Sequence, residues 1–283
     1  MGKLSKVIIT TTTDEFVKEI TPYNKNVEIF PNAIDPSKRQ FTPNPEKSDI
    51  LRVGWLGGSS HLHDLNILKD SIQKLKADPS LKDRFQMVLC GFDTRGSMTT
   101  IDPEGKKHTR KIEPKESVWA LYEQIMTGNY DIIKNKEEVK QLLEFTKGKP
   151  SIKTSEYRRV WTKPITTYAT NYNLMDVSIA PLKETTFNRV KSQLKIIEAG
   201  FHKKAIIAQD FGPYKIDCVH GKNSLLVPTS KNHKWWYKHL KTLINNPNMV
   251  KDLGEQLYED VQKYHIKAVT KTRAEWYRSL IKK

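Results

Sequence analysis

The stretch Leu51-Arg52-Val53-Gly54-Trp55-Leu56-Gly57-Gly58-Ser59-Ser60 decides the fold class of this chain. Its apolar run Leu51–Leu56 predicts a buried β-strand, and the two glycines that follow predict a tight turn. An amphipathic helix comes next, with Asp64 as its candidate N-cap. The apolar residues of this helix recur every three or four positions, at Leu65, Leu68, Ile72 and Leu75. A strand that leads through a glycine turn into a helix is typical of a parallel α/β sheet.

The same alternation of strands and helices continues on the C-terminal side. Apolar runs predict further strands at Phe85–Cys90, Met175–Ala180, Ala205–Ala208 and Ser224–Val227. Periodic apolar residues predict helices at Ser192–Phe201 and over residues 233–283. We therefore expect an α/β fold with a Rossmann-like parallel sheet flanked by helices. Residues 95 to about 160 break the alternation, and we interpret them as a mostly helical insertion.

The N-terminal residues form a separate strand–helix–strand pattern at Val7–Thr12, Asp14–Ile20 and Val27–Phe30. One βαβ unit is too small to fold as a domain of its own. We therefore divide the chain into two parts. Residues 1–45 are the remnant of a longer N-terminal domain with a linker, and residues 46–283 are the sheet domain with its insertion and its C-terminal helices.

The composition limits the class of protein and its partners. The 283 residues include 48 Lys and Arg against 32 Asp and Glu, a formal net charge of +16. A basic surface attracts phosphate-rich partners such as nucleotide-sugars, nucleic acid, anionic lipid or acidic glycans. No apolar run reaches the roughly 20 residues of a membrane-spanning helix, and no signal peptide is recognisable. Cys90 and Cys218 give neither a metal-binding spacing nor a disulfide framework. We expect a cytoplasmic protein, with attachment to the inner membrane surface as the alternative.

The loop after the predicted strand Met175–Ala180 is the first candidate binding site. It leads past Arg189 and Lys191 into a helix that begins near Ser192. Free backbone N–H groups and the helix dipole favour a phosphate at such an N-terminus, and the two cations add charge. Glu198 lies about two turns into this helix, where its carboxylate can accept hydrogen bonds from a ribose diol. The alternative is an ordinary solvent-facing glutamate.

These segments resemble the group 1 type retaining glycosyltransferases, which have the two-domain GT-B fold. Lys195-Ile196-Ile197-Glu198-Ala199 resembles the helix segment in which this family places its ribose-binding Glu. Four other segments follow in the family's order: the linker Val27–Asp35, the strand and glycine turn Leu51–Gly58, the strand Tyr172–Leu182 and the late strand Asn223–Val227. The resemblance extends over residues 5–95 and 165–283.

The resemblance implies that residues 46–283 bind a nucleotide-sugar and that the protein transfers the sugar to an acceptor. It implies a retaining reaction without a metal, and no cofactor besides the donor substrate. It assigns the donor ribose to Glu198. It assigns the donor diphosphate to residues of two loops, namely Gly57, Gly58, Ser59, Arg189, Lys191 and Ser192. No catalytic residue follows from it; Asp93, His61 and His63 are acid–base candidates by residue type alone.

Three features depart from the family. Val190 stands where the family often has a second Glu that contacts the sugar. The loop Gly57–His63 lacks the family's Arg and Lys near the diphosphate, so we expect His61 or the pair Arg158 and Arg159 to supply the charge; a plain glycine turn is the alternative. The acceptor-binding N-terminal domain is represented by a single βαβ unit. A partner chain, a homo-oligomer or the insertion would then hold the acceptor, unless the chain is a remnant.

The segment Tyr157-Arg158-Arg159-Val160-Trp161 places two guanidinium groups between aromatic rings. Arginine matches phosphate geometry, and aromatic rings stack on nucleobases. Together with His61, the residues Arg158, Arg159 and Trp161 are therefore candidate contacts to a base or a phosphate. The alternative is an amphipathic sheet edge with Tyr157 and Trp161 in the core.

A second functional class competes with the transferase. The same fold without its acceptor domain, at a charge of +16, also fits a non-catalytic module that binds nucleic acid, an anionic glycan or a partner chain. The sequence leaves the nucleotide, the sugar and the acceptor open.

Overall fold

The computed structural model describes residues 7–93, 95–113, 116–128 and 152–281. The strands in these ranges are β1 (Ile9–Thr11), β2 (Val27–Ile29), β3 (Leu51–Leu56), β4 (Phe85–Phe92), β5 (Ser97–Ile101), β6 (Lys107–Lys111), β7 (Ile152–Lys153), β8 (Tyr157–Trp161), β9 (Val177–Ala180), β10 (Ala205–Gln209) and β11 (Leu225–Val227). The α-helices are α1 (Asp14–Ile20), α2 (Leu62–Leu65), α3 (Lys69–Lys76), α4 (Val118–Thr127), α5 (Thr186–Arg189), α6 (Leu194–Phe201), α7 (Asn232–Asn245), α8 (Pro247–Val261) and α9 (Ile266–Ile281).

The central sheet has the strand order β11-β10-β9-β3-β4-β8-β7 in the described ranges. Neighbouring strands from β11 to β8 run parallel, and β7 lies antiparallel at the edge. The chain moves outward from β3 to β4 and β8, and then returns to β9 on the other side of β3. The strand order thus reverses between β3 and β9, and in open α/β sheets ligands bind outside the carboxyl ends of the strands at this switch point.

The sheet is buried on both faces, as a parallel sheet requires. Alternate residues of β4 point to opposite sides: Met87 and Leu89 pack with α3, α4 and α7, whereas Val88 and Cys90 pack with α6 and α8. All eight residues of β4 are buried. These contacts confirm the predicted α/β sheet flanked by helices. They also explain why β4 is a continuous apolar run, without the alternation of a strand that has one wet face.

The interpretation of residues 95 to about 160 as an insertion needs correction at its C-terminal end. Tyr157–Trp161 forms β8, which pairs in parallel with β4 and completes the first half of the sheet. The helix α4 packs against β4 and α3 and forms part of the crossover to β8. The antiparallel hairpin of β5 and β6, with every strand residue exposed, is the added element. Residues 129–151 of the predicted insertion lie outside the described ranges.

The N-terminal βαβ unit is a separate two-stranded parallel sheet, in which Ile9 pairs with Val27. The helix α1, all of which is described, has no buried residue. The last helix, α9, returns to this end of the chain: Ile266 N–H donates to Ile34 O at 2.8 Å, and Arg273 donates to Pro31 O at 2.7 Å. The helices predicted from residue 233 onward are α7, α8 and α9. Within the described ranges, no helix combines the length and the apolar character needed to cross a membrane.

Candidate functional site

A cavity of about 290 Å³ opens at the carboxyl edge of the sheet, beside the switch point. We call it the Glu198 cavity. Its walls come from the turn after β3, the end of β4, the loop after β8 and the helix α6, and include Gly57, Gly58, Gly91, Thr162, Lys195 and Glu198. A second cavity, of about 580 Å³, adjoins it and shares Gly57, Gly58, Gly91 and Thr162. The two together form a continuous depression over the ends of β3, β4 and β8.

Glu198 is 4% exposed and lines this cavity, so the alternative of a solvent-facing glutamate is wrong. Its Oε1 accepts a hydrogen bond from the Tyr168 hydroxyl, and its Oε2 accepts one from the Tyr172 hydroxyl at 3.1 Å. Burial raises the pKa of Glu198 above its ordinary value, and the hydroxyl of Tyr168, the charge of Lys195 and the hydroxyl of Tyr172 oppose that rise. The side chain is therefore a buried acceptor held in one orientation.

Lys195 lies one helical turn before Glu198. Its Nζ donates to the carbonyl oxygen of Leu56 at the end of β3 and lies 5.1 Å from the ring centre of Trp55. Burial lowers the pKa of Lys195 to about 8. The contact ties the helix α6 to the glycine turn and places a cation in the wall of the cavity.

The glycine turn is held in place by Tyr122 from the helix α4. The Tyr122 hydroxyl donates to Ser59 O at 2.8 Å and accepts from His61 N–H at 2.8 Å. Burial raises the pKa of Tyr122 to about 12, which keeps the hydroxyl protonated and able to donate. Gly91 in β4 has a φ of +100°, and a Cβ there would collide with Gly57 O. The turn therefore depends on the absence of a side chain at residue 91.

Asp64 joins the two loops that flank the switch point. Its Oδ1 accepts from Lys183 N–H at 2.8 Å and from Asn188 Nδ2 at 2.9 Å, and its Oδ2 lies 2.8 Å from His61 Nδ1. The prediction that Asp64 caps the next helix is wrong, because the N-cap of α2 is His61. Burial alone would raise the pKa of Asp64, but the His61 and Lys183 hydrogen bonds and the charge of Lys191 bring it below its ordinary value.

The start of α6 is fixed by contacts from both ends of the chain. Ile196 N–H and Ile197 N–H both donate to Gln193 O, so the first helical turn opens at Gln193. The amides before that turn have no acceptor within the helix. Ser192 Oγ accepts from Asn32 Nδ2 at 2.7 Å, and Gln193 Nε2 donates to the Tyr264 hydroxyl at 2.9 Å. The loop that the sequence assigned to a phosphate is thus rigidly attached to its surroundings.

The predicted diphosphate residues do not all meet in one place. Gly57 and Gly58 line the Glu198 cavity, and Lys191 Nζ lies 4.0 Å from Asp64 between the two loops. Arg189 lines a different cavity, of about 680 Å³, which we call the Arg189 cleft. This cleft lies between the start of α1 and the segments after β10 and β11, and Asp14, Glu15, Asp210 and Lys215 contribute to its walls.

The candidate base and phosphate contacts from β8 lie away from the Glu198 cavity. Arg159 is 2% exposed and is held by both carboxylate oxygens of Glu123, with Arg159 Nε 2.7 Å from Oε1. Arg158 donates to Glu46 at 2.8 Å near the amino ends of the strands. Trp161 packs against Phe92 with ring centres 6.1 Å apart. The alternative interpretation, an amphipathic strand with its aromatic rings packed inward, describes β8 better.

The acid–base candidates are divided as well. The His61 ring is hydrogen-bonded to Asp64, and His63 is exposed at the solvent side of α2. Asp93 lines the second cavity and is paired with Arg95 at 2.9 Å. Within the described ranges, none of the three lines the Glu198 cavity.

Sequence reasoning missed several polar residues of the site, namely Asn188, Tyr122, Tyr168, Tyr172 and Lys195. For three of these a signal was present. Lys195 precedes Glu198 by three residues on the same helix, and Tyr168 and Tyr172 are four residues apart in the segment before β9, so the spacing brings each pair close together. Tyr122 and Asn188 reach the site through tertiary contacts that no spacing in the sequence predicts.

No protein-family model matches this sequence, and no curated protein matches it. Solved structures share its fold. Sucrose-phosphate synthase from Thermosynechococcus elongatus matches 97% of this chain with a TM-score of 0.62 and 14% identity. Anabaena Alr3699/HepE in complex with UDP and glucose matches 96% with a TM-score of 0.61 and 12% identity. A glycosyltransferase from Rickettsia africae ESF-5 matches 97% with a TM-score of 0.60 and 13% identity.

This chain spans 58%, 63% and 64% of the length of these three structures, respectively. At 12–14% identity the similarity concerns the fold. The chain therefore shares with these structures an α/β fold in which helices flank a central parallel sheet.

Proposed function

We propose that this protein binds a nucleoside-diphosphate sugar at the carboxyl edge of its sheet and acts in the transfer of that sugar to an acceptor. The observation that carries the proposal is the meeting of Gly57, Gly58 and Glu198 in one cavity at the switch point of the sheet. The fold of the Anabaena protein, solved with UDP and glucose, supports a site of this chemistry. Ligand sites in open α/β sheets lie at this same position.

Glu198 and the glycine turn have separate roles in the proposed site. A carboxylate offers about four lone-pair positions, and two of those on Glu198 are used by Tyr168 and Tyr172. The remaining positions accept the 2′ and 3′ hydroxyls of the donor ribose. A Cβ at Gly58 would meet no atom within 4 Å, so the backbone of this turn is open to close approach by a phosphate.

The chemistry follows from where negative charge develops. Transfer breaks the bond between the anomeric carbon and a phosphate oxygen, and the nucleoside diphosphate leaves with the electron pair. A nucleophilic atom of the acceptor forms the new bond to the anomeric carbon and gives up its proton. Backbone N–H groups before Leu194, together with Lys191, stabilise the charge that builds on the leaving group. A retaining reaction without a metal belongs to the proposal on the strength of the sequence resemblance. A partner chain or second copy that provides the acceptor side belongs to it on the same ground. A cytoplasmic location belongs to it on the strength of the cysteine usage and the composition.

Thermal unfolding in the presence of UDP-, GDP-, ADP- and dTDP-sugars tests the proposal. A ligand that binds the folded state raises Tm, and we expect one nucleotide series to do so. Glu198→Ala should abolish that rise. Glu255→Ala, which changes an exposed glutamate on α8, should preserve it. No rise with any member of the panel, or an equal rise in Glu198→Ala, would refute the proposed donor site.

The net charge favours a second candidate, a module that binds nucleic acid or another polyanion. The strands β5 and β6 of the hairpin are exposed, and the hairpin carries Lys106, Lys107, Arg110 and Lys111. Binding through phosphate contacts weakens steeply with salt, because counterions are released on binding. A salt-dependent affinity for duplex or single-stranded DNA that falls on reversal of these charges would support this candidate. The absence of such binding at low salt would remove it.

A further inference from the structure

Two tyrosines, Tyr168 and Tyr172, donate hydrogen bonds to the carboxylate of Glu198. The 3₁₀ segment Tyr168–Leu174 comes just before β9. Tyr168 and Tyr172 are four residues apart on it, and their hydroxyls reach the two oxygens of the same carboxylate. The two hydrogen bonds therefore fix the orientation of the Glu198 carboxylate.

The two tyrosines differ in what surrounds them. Tyr172 is 1% exposed and stacks on the buried His202 ring, with ring centres 5.0 Å apart. Tyr168 is half-buried and forms part of the wall of the Glu198 cavity. A ligand in the cavity can therefore contact Tyr168, whereas Tyr172 belongs to the core.

The direction of both hydrogen bonds follows from the protonation of the phenols. Burial raises the pKa of Tyr168 and of Tyr172, and the neighbouring charge of Glu198 adds to the rise. Both hydroxyls therefore stay protonated and donate, and Glu198 accepts. An acceptor held in this way favours the ionised carboxylate.

The remaining titratable groups near Glu198 come from α6, from the loops around the glycine turn and from the loop after β8. Lys163 in that last loop lines the same cavity, and its Nζ donates to Thr170 Oγ1 at 2.7 Å. The charge of Lys195 lowers the pKa of Glu198. The pKa of Lys195 is itself raised by the charge of Asp64 and lowered by the charge of Lys191. The His202 ring is bonded to the main-chain oxygen of Glu198, and burial lowers its pKa, so the ring is neutral at pH 7. Among these groups and the tyrosines, the Tyr168 hydroxyl does most to lower the pKa of Glu198 against the effect of burial.

We propose that Tyr168 is the positioning residue of the nucleotide site: its hydroxyl holds Glu198 as an ionised, acceptor-only carboxylate aimed at the ribose diol. The inference rests on the proposed function. It assigns to Tyr168 the selection of ribose over 2′-deoxyribose and the pH range over which a nucleotide binds. Tyr168→Phe removes the hydroxyl and keeps the ring, so it isolates this role from packing.

The first test uses the ligand-free protein. The pKa of the Glu198 carboxyl is measured by ¹³C NMR, with Glu198→Gln to assign the signal. The Tyr168 hydroxyl lowers the pKa of Glu198, and burial raises it. Without the hydroxyl, the pKa of Glu198 should therefore be higher in Tyr168→Phe than in wild type. Tyr237→Phe removes a hydroxyl from a different carboxylate, Asp78, and should leave the Glu198 signal unchanged. An unchanged pKa in Tyr168→Phe would overturn the inference.

The second test measures the affinity for UDP, GDP and ADP, and for their 2′-deoxy forms, between pH 5 and 8. Loss of one hydrogen bond corresponds to about five-fold weaker binding at pH 7 in Tyr168→Phe. Its affinity should also fall at a higher pH than in wild type, and its preference for ribose should shrink. Tyr237→Phe should match wild type in all three respects.

The outcomes separate the inference from the proposed function. If the wild type binds none of these nucleotides, the proposed function fails, and the role of Tyr168 in it fails too. If the wild type binds and Tyr168→Phe binds equally well with the same pH profile and the same ribose preference, the inference alone is wrong.

Discussion

At the scale of single residues, the site is organised by two buried carboxylates with opposite behaviour. Glu198 has two neutral donors, and burial raises its pKa. Asp64 accepts hydrogen bonds from a backbone N–H, an amide and an imidazole, and its pKa falls. Burial raises the pKa in both cases; at Asp64 the hydrogen bonds and the charge of Lys191 outweigh it, whereas at Glu198 the hydroxyls and the charge of Lys195 do not. Asp64 is thus a structural anion between the two loops, and Glu198 is the acceptor that faces the cavity.

Asp64→Asn should destabilise the protein by about 1–3 kcal/mol at pH 7, since it disrupts a buried set of hydrogen bonds. The pKa of Asp64 is lower in the folded state, so its stabilising contribution is complete above the ordinary carboxyl pKa and is lost as pH falls through the folded value. The difference from wild type should therefore shrink below a pH of about 4. Urea unfolding at pH 7 and pH 3.5 measures it, with Asp70→Asn, an exposed site on α3, as the control. Equal effects of the two substitutions at pH 7 would contradict the account.

Gly91→Ala should destabilise the protein more than Gly105→Ala. Both glycines have positive φ, +100° and +81°, so both substitutions carry a backbone strain of about 1–2 kcal/mol. Only at Gly91 does the new Cβ meet another atom of the described structure, the carbonyl oxygen of Gly57. The Tm of the two variants is compared in thermal unfolding. Gly105→Ala measures the backbone strain alone, and Gly91→Ala measures the strain together with the collision. Equal losses would mean that the glycine turn does not depend on close approach by β4.

Some of these residues were predictable from the sequence and others were not. Gly57 and Glu198 stand in local patterns, a glycine turn after a strand and a glutamate on an apolar helix, that predict their position at the carboxyl edge. Arg159 carries the same charge as Lys191 but lies in the core, because Glu123 arrives from α4 to neutralise it. The sequence shows the charge, whereas the partner that decides its role is 36 residues away.

At the scale of elements, β8 is a strand of the central sheet that the pattern of apolar residues does not predict. All five strands predicted for the sheet were recognised by runs of apolar residues, and the last of them is short. In contrast, β8 contains two adjacent arginines and was placed in an insertion. Arg159 can be buried in this strand because Glu123 of α4 pairs with it. The five predicted strands are all present in the sheet, since most of their residues are buried and each carries its own apolar run.

Replacing either member of the Arg159–Glu123 pair alone should destabilise the protein strongly, by about 3–5 kcal/mol, because one buried charge is left unpaired. The double variant Arg159→Met, Glu123→Leu should recover most of that loss, since both charges are removed together. Chemical denaturation gives the free energy of unfolding of the wild type, the two single variants and the double variant, which together form a double-mutant cycle. A double variant that loses the sum of the two single effects would show that the pair does not interact as the structure indicates.

At the scale of the whole molecule, the two ends of the chain pack together. The βαβ unit has no buried residue in α1, and it is attached through Phe30 and Pro31 to the last helix. The Phe30 and Trp276 rings meet edge to face at 5.1 Å, and the Arg273 guanidinium lies 5.2 Å from the Phe30 ring centre. The helix α9 therefore sets the position of the N-terminal unit, and with it one wall of the Arg189 cleft.

Trp276→Ala should loosen the N-terminal unit while leaving the sheet folded. Loss of the ring removes apolar contact with Phe30, so residues 7–30 should become more sensitive to limited proteolysis, by about ten-fold in rate for a loss of roughly 1.4 kcal/mol. Lys271→Ala on the exposed side of the same helix is the control. Unchanged cleavage in Trp276→Ala, or equal cleavage in the control, would argue that α9 does not hold the N-terminal unit.

The central claim is that the carboxyl edge of this sheet is a nucleotide-sugar site, and hydrogen–deuterium exchange tests its location most directly. The protein is compared with and without UDP-, GDP-, ADP- and dTDP-sugars, and exchange is followed along the chain. The account predicts slower exchange in residues 57–63 and 191–198 with at least one of these ligands, and no such change in Glu198→Ala. No protection with any ligand, or protection confined to other segments such as the hairpin 97–111, would contradict it.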